Sequence, residues 1–161
     1  MTAERRPAAE LRLSKPGFDV LADREGLELE AYLDERGILT IGIGHTSAAG
    51  PPKVTQGMTI TRDEAQEIFV QDAERFRREC QSAAGVPVLH QHELDALASF
   101  LFNIGSTNFL GSTALKRLKQ GDYAGCAEAM SWWNKPPSLI SRRRGEIEQF
   151  LHGRYVARID R

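Results

Sequence analysis

The sequence predicts an α+β fold of two lobes, a small β-hairpin lobe early in the chain and a mainly helical lobe after it. Three observations carry this. Hydrophobic spacing switches from a helical period of roughly 3.6 residues to a strand period of about 2 and back again between Ser14 and Thr61. The stretch Thr46 to Gln56, with Pro51 and Pro52, can continue neither strand nor helix. Everything after Gly57 then reads as helix, which leaves a cleft between unlike lobes as the natural place for a ligand. A chain of 161 residues with 41% hydrophobic content can bury one core, and collagen-like, low-complexity and wholly disordered classes are excluded.

Each element has a local cause. Residues 1–13 are charged, rich in Ala and unpatterned, and are expected to form a flexible N-terminal extension to a single domain, residues 14–161. Ser14 caps a helix in which Phe18, Leu21, Ala22 and Glu25 recur at i, i+3, i+4 and i+7, so that one carboxylate lies in line with an apolar face. Gly26 ends it. From Leu27 to Gly44, β-branched and aliphatic residues flank the turn Asp34-Glu-Arg-Gly37, the pattern of a hairpin. Thr61-Arg-Asp-Glu64 is a capping box opening a helix to about Cys80. Leu94 to Phe102 is apolar nearly all round and predicts a buried central helix. Helices follow over Ser112–Lys119, over Asp122 to about Trp132, and over Ser138–His152, ended by Gly153; there is no internal repeat.

Charge and cysteine content exclude more than they suggest. With 21 Lys and Arg against 22 Asp and Glu there is no global positive field to draw the chain onto nucleic acid. Cys80 and Cys126 are too few for a disulfide scaffold or a cysteine zinc site and read as buried thiols. His90, His92 and Glu93 lack the i, i+4 spacing of a helical zinc pair, so no metal or other cofactor is expected. No window reaches the ~18 apolar residues of a spanning helix, and Met1–Glu10 has no apolar core of an export signal, so neither stable membrane insertion nor a signal peptide is expected.

The densest polar constellation lies between Glu25 and His45. Glu25 falls at the C-terminal end of its helix, where desolvation and the negative end of the helix dipole both disfavour the ionised form, so it can donate a proton. Asp34 falls at the mouth of the hairpin turn, where water and backbone N–H groups favour an anion that can act as base or electrostatic stabiliser. A proton donor paired with a carboxylate is what glycosidic bond cleavage requires.

Glu25-Gly26, Asp34, Thr40 and Gly42-Ile43-Gly44-His45, taken together, resemble the catalytic motif of glycoside hydrolase family 24, the phage lysozymes and endolysins of T-even and lambdoid type. Ser99-Phe-Leu-Phe-Asn-Ile-Gly105, Phe109-Leu-Gly-Ser-Thr113, Gly121-Asp-Tyr123, Trp132-Trp-Asn-Lys-Pro136 and Leu139-Ile-Ser-Arg-Arg-Arg-Gly-Glu146 extend the likeness over residues 14–153. In place of the Gly-Gly-Lys of many lambdoid relatives the chain has Lys135-Pro-Pro-Ser138. The resemblance implies a lysozyme-like fold with the active-site cleft between its lobes. It further implies hydrolysis, without a cofactor, of the β-1,4 bond between N-acetylmuramic acid and N-acetylglucosamine in bacterial peptidoglycan. Glu25 would be the general acid, Asp34 the carboxylate that positions or activates the attacking water, and Thr40 the hydroxyl completing the site from the second strand. Inversion at the anomeric centre is implied, for which carboxyl groups about 6.5 to 9.5 Å apart leave room for water. A lytic transglycosylase acting on the same bond and a noncatalytic wall-binding module are the competing readings.

Secondary expectations follow. The resemblance places Thr46, Phe102 and Ser112 along the cleft, where their types would serve equally as turn, core and N-cap; Asn103, at the end of the buried helix, is either a helix cap or a contact to an N-acetyl or hydroxyl group. It brings an arginine of the last helix, Arg142 or Arg143, to Glu25, and leaves Arg144 on a solvated face. The run Arg142-Arg-Arg144 would also serve as a local basic patch. Trp132 is expected in the core, His45 as a structural histidine, and Gly42 and Gly44 where backbone approaches something closely. A monomer made in the host bacterial cytoplasm is expected. It would act on the periplasmic wall after release by a separate membrane-permeabilising protein or another secretion route.

Overall fold

The computed structural model describes residues 4–84 and 88–160. In chain order these form β1 (Arg6–Pro7), α1 (Lys15–Glu25), β2 (Glu28–Leu33), β3 (Leu39–Gly42), β4 (His45–Thr46), α2 (Arg62–Ala84), β5 (Val88–Leu89), α3 (Gln91–Ile104), α4 (Ser106–Leu110), α5 (Thr113–Lys119), α6 (Tyr123–Met130) and α7 (Ile140–His152).

The start of α1 is fixed by Ser14, whose Oγ accepts from the Gly17 N–H at 3.1 Å, and its end by Gly26 at φ 84°, a left-handed backbone that glycine takes without steric cost. The chain then reverses into an antiparallel sheet of order β2-β3-β4, with Tyr32 opposite Thr40 and Thr40 opposite Thr46. Met58 and Ile60 bond to Ala31 and Leu29 along the outer edge of β2, so the loop after β4 returns to close that edge. The capping box forms as expected: Thr61 N–H donates to Glu64 Oε1 at 3.0 Å and Glu64 N–H to Thr61 Oγ1 at 3.1 Å.

Two hydrophobic clusters define the lobes. Phe18, Leu21, Ile41, Ile43, Val54, Ile60 and Phe69 join α1, the sheet and the first turns of α2. Leu97, Phe100, Phe109, Leu115, Leu118, Met130 and Phe150 form the core of the helical lobe. Phe69 and Phe102, with ring centroids 5.3 Å apart, connect the two.

Several expectations are corrected. Of the expected extension, residues 1–3 lie outside the described residues, and residues 4–13 are not simply an extension, because β1 pairs with β5, and Ala8 and Leu11 are buried in the helical core. Arg5 forms a two-pronged bond to Glu93, at 2.9 Å each, and stacks over Tyr123. The apolar residues here are too widely spaced to show a period, and the Arg5 partner lies far along the chain. Trp132 is 53% exposed and lies near Arg117, while Trp133 packs edge-on against Phe100. Helix α6 ends at Met130, so the tryptophans leave on a turn and Trp132 is not in the core as expected. The short helix α4 and the strand β4 were not anticipated, and α3 starts three residues early, with Glu93 Oε1 accepting from His90 N–H at 2.7 Å. Cys126 is a buried free thiol whose pKa burial pushes up to about 12; the Cys80 side chain lies outside the described residues. Among the described residues no helix is long and apolar enough to cross a membrane.

Candidate active site

Glu25 is the last residue of α1, with a side chain 21% exposed. Its Oε1 accepts from Arg142 Nη1, so the arginine that reaches it is Arg142 and not Arg143. Arg142 is held from the other side. Its Nε donates to Glu146 Oε2 at 3.2 Å and its Nη2 to the Ser99 carbonyl at 3.2 Å. Glu146 is fully buried, accepts from Ser99 Oγ at 2.5 Å, and is paired with Arg143 Nη1. Arg24, beside Glu25, donates to Ser99 Oγ at 3.0 Å and to Gln149 Oε1 at 2.9 Å. Three guanidinium groups thus gather around one buried carboxylate, behind the partly exposed one. Burial pulls the Arg24 pKa down to about 10, with Glu146 opposing the shift, and lowers that of Arg143 likewise.

Asp34 is set by its own turn. Its Oδ1 accepts from the N–H groups of Arg36 at 2.8 Å and Ile38 at 2.9 Å, and its carbonyl accepts from Gly37, whose φ is 76°. Among the described residues nothing bonds the second oxygen, Oδ2, which stays available to water. Thr40 is buried in β3, and its hydroxyl donates to the Ile38 carbonyl at 2.9 Å, which leaves its lone pairs to accept. Ile38 therefore joins the two: its N–H holds the Asp34 carboxylate and its C=O holds the Thr40 hydroxyl.

The remaining predicted residues divide. Thr46 is half-buried and faces Thr40 across β3 and β4. Phe102, on α3, is exposed and reaches over Gly44, where an added Cβ would lie 3.7 Å from its ring. Asn103 is not the cap of α3, which is Gly105; its Oδ1 accepts from Arg143. Ser112 takes the N-cap alternative: its hydroxyl accepts from Leu115 N–H at 3.1 Å and donates to the Phe109 carbonyl at 2.7 Å, so it serves as the cap of α5. The arginine run is not a basic patch, because Arg142 and Arg143 are buried and only Arg144 is exposed.

His45 is structural, buried between Asp72 Oδ2 at 2.7 Å and the Pro52 carbonyl at 2.8 Å. Gly42 and Gly44 are required by φ values of 67° and 66°, and their nearest neighbours stand at ordinary contact distance, so conformation and not close approach explains them. Among the described residues no group of three His, Cys, Asp or Glu side chains gathers as a metal site. The sequence reading missed Arg24, Ser99, Glu146 and Gln149. The signal was present: a Glu at i+3 and i+4 from two arginines, and a lone Ser in the apolar run of α3.

The phage lysozyme family model matches residues 22–146. The endolysin of Salmonella phage P22 is 40% identical over 145 residues, covering 88% of this chain and 99% of the relative. The endolysin of Acyrthosiphon pisum secondary endosymbiont phage 1 is 34% identical over 149 residues, covering 87% and 98%. The SAR-endolysin of Escherichia phage Mu is 33% identical over 128 residues, covering 76% and 71%. Among solved structures, a lysozyme mutant from the Salmonella phage superposes with a TM-score of 0.78 at 39% identity, covering 88% of this chain and 99% of that one. The muramidase domain of SpmX from Asticaccaulis excentricus gives 0.70 at 30% identity, covering 88% and 98%.

Proposed function

The chain belongs to the phage lysozyme family and is a muramidase that hydrolyses peptidoglycan at the β-1,4 bond between N-acetylmuramic acid and N-acetylglucosamine; we propose that Glu25 is its general acid and that Asp34 and Thr40 hold the attacking water. The observation that carries the assignment is the unlike setting of the two carboxylates. Glu25 has one oxygen on Arg142 and Oε2 without a partner among the described residues, so Oε2 is the atom that passes a proton to the glycosidic oxygen. A sugar seated over Glu25 displaces the water that still reaches it, which favours that transfer. Asp34, with Oδ1 held by two N–H groups, keeps Oδ2 to accept a proton from water. Thr40 Oγ1 accepts the second proton of that water as a hydrogen bond. Water then attacks the oxocarbenium-like centre from the face opposite the leaving group, and the anomeric centre inverts.

Thr46, beside Thr40, and Phe102, across the lobes at Gly44, are assigned as sugar contacts, with Asn103 behind them on Arg143. All these residues come from one chain, and a monomer suffices.

The test is the pair Glu25→Gln and Asp34→Asn on purified wall sacculi. Positioned acid–base groups contribute about 10²- to 10⁴-fold, so each variant should lose at least about 99% of its rate. Retention of more than about a tenth by either removes that residue from its role. Mass spectrometry separates hydrolysis from transglycosylation, since reducing muramic ends are expected and anhydro ends would overturn the water mechanism.

A further inference from the structure

The segment Arg154–Asp160 follows α7 and lies beyond residues 22–146, the span of the family match. It is tied at both sides of the contact on which the acid depends. On the α1 side, the Val156 carbonyl accepts from Arg24 Nη2 at 2.7 Å and the Ala157 carbonyl from Arg24 Nε at 3.1 Å. Arg158 returns the contact, donating from Nη2 to the Arg24 carbonyl at 3.0 Å and from Nη1 to the Asp23 carbonyl at 3.3 Å. These are carbonyls of the last turn of a helix, which have no partner within it, and a cation there is also favoured by the helix dipole. On the α7 side, Ile159 N–H donates to the Ser141 carbonyl at 2.9 Å. Gly145 forms the notch in which the segment lies, since a Cβ there would meet the Ala157 carbonyl oxygen at 2.5 Å. Tyr155 anchors the start of the strap through its hydroxyl, which donates to Asp95 Oδ2 at 2.7 Å.

We propose that residues Tyr155–Ile159 are a positioning strap that sets the register of α1 against α7, and that Arg158 is the positioning residue which thereby holds Glu25 on Arg142. Glu25 is one residue beyond the Arg24 peptide that Arg158 grips, and Arg142 is one residue beyond the Ser141 carbonyl that Ile159 grips. Both partners of the pair are fixed by adjacent residues of the same short segment. Loss of the Arg158 bonds frees the last turn of α1 while leaving Phe18, Leu21 and the apolar packing of that helix in place. Arg158 is exposed, so its removal opens no cavity. The inference rests on the assignment of Glu25 as the acid.

The experiment compares Arg158→Ala, Arg158→Lys and Glu25→Gln in the full chain, with kcat and KM measured on a soluble peptidoglycan oligosaccharide alongside the thermal unfolding midpoint. A misplacement of about 1 Å costs on the order of a hundredfold in rate, and the partial freedom gained here is expected to cost about tenfold in kcat, with KM within about twofold. The midpoint should not move, and Arg158→Lys, whose ammonium can still donate to a carbonyl, should recover at least about half of the wild-type kcat. In the Glu25→Gln background, Arg158→Ala should change the residual rate by less than about twofold, as expected for coupled residues. Wild-type kcat in Arg158→Ala with an inactive Glu25→Gln overturns the strap alone. A lower midpoint with kcat and KM both degraded makes the segment merely structural and also overturns it. An active Glu25→Gln overturns the acid assignment and the strap with it.

Discussion

Replacing Glu146 with Gln should be among the most costly conservative changes in the protein. The carboxylate is fully buried, accepts from Ser99 Oγ and Arg142 Nε, and pairs with Arg143. It also opposes the burial of Arg24. The amide has nearly the same shape and can still accept from Ser99, but its NH₂ group then faces an arginine donor, and three guanidinium groups lose the one fully buried carboxylate among them. Removing one partner of a buried pair costs about 3–5 kcal/mol, because the remaining charge is stranded without solvent. For a chain of this size that lowers the unfolding midpoint by on the order of 10 °C. The control is Glu148→Gln, which removes the same charge from the same helix but breaks only the Glu148–Arg154 pair, whose arginine side chain is 66% exposed and which is worth ~0–1 kcal/mol. Urea unfolding followed by tryptophan fluorescence, with unchanged m-values, measures both. A loss below about 1 kcal/mol at Glu146, or equal losses at the two positions, would refute the claim that this carboxylate holds the cluster together.

Three shorter predictions test other parts of the structure. Leu11→Ala should destabilise by about 2–4 kcal/mol in urea, because it empties space in the helical core; no change would return residues 4–13 to the status of an appendage. Gly44→Ala should cost about 1–2 kcal/mol from its left-handed backbone alone, since the Phe102 ring at 3.7 Å is an ordinary contact, and a neutral result in the same assay would contradict that φ. In a Cys80→Ser background, Cys126 should resist a thiol reagent at pH 8 and react once the chain is unfolded. The thiolate is the nucleophile and the folded thiol ionises only near pH 12; rapid labelling of the native protein would show the burial to be wrong.

How much of this was legible in the sequence depended on the distance between partners. Ser14, the Thr61–Glu64 box and the Asp34 turn were readable because each is completed within four residues of itself. The hairpin and the major helices were readable because burial imposes a period on the side chains. The start of the chain was misread because Leu11 packs into the helical core and Arg5 finds Glu93 on α3, where no local pattern points. Trp132 was misread because a helical rotation was extended past Met130, where the helix stops. Ser112 shows a different limit. One residue type serves both a cap and a sugar contact, and only the geometry of the hydroxyl decides between them.

The same distinction separates the two carboxylates of the active site. Asp34 is held by N–H groups two and four residues away, so any chain that makes this turn makes this anion site. Glu25 is held by Arg142, 117 residues further on, and through it by Glu146, Ser99 and Arg24. The position of the proposed base is therefore a property of the hairpin, whereas that of the proposed acid belongs to the packing of α1 against α3 and α7. On the proposed roles, a change that loosens the helical lobe without unfolding it should weaken proton donation by Glu25 first and leave the geometry of Asp34 and Thr40 intact. The proposed chemistry divides in the same way as the fold, with the nucleophilic side built locally and the leaving-group side built by tertiary contacts.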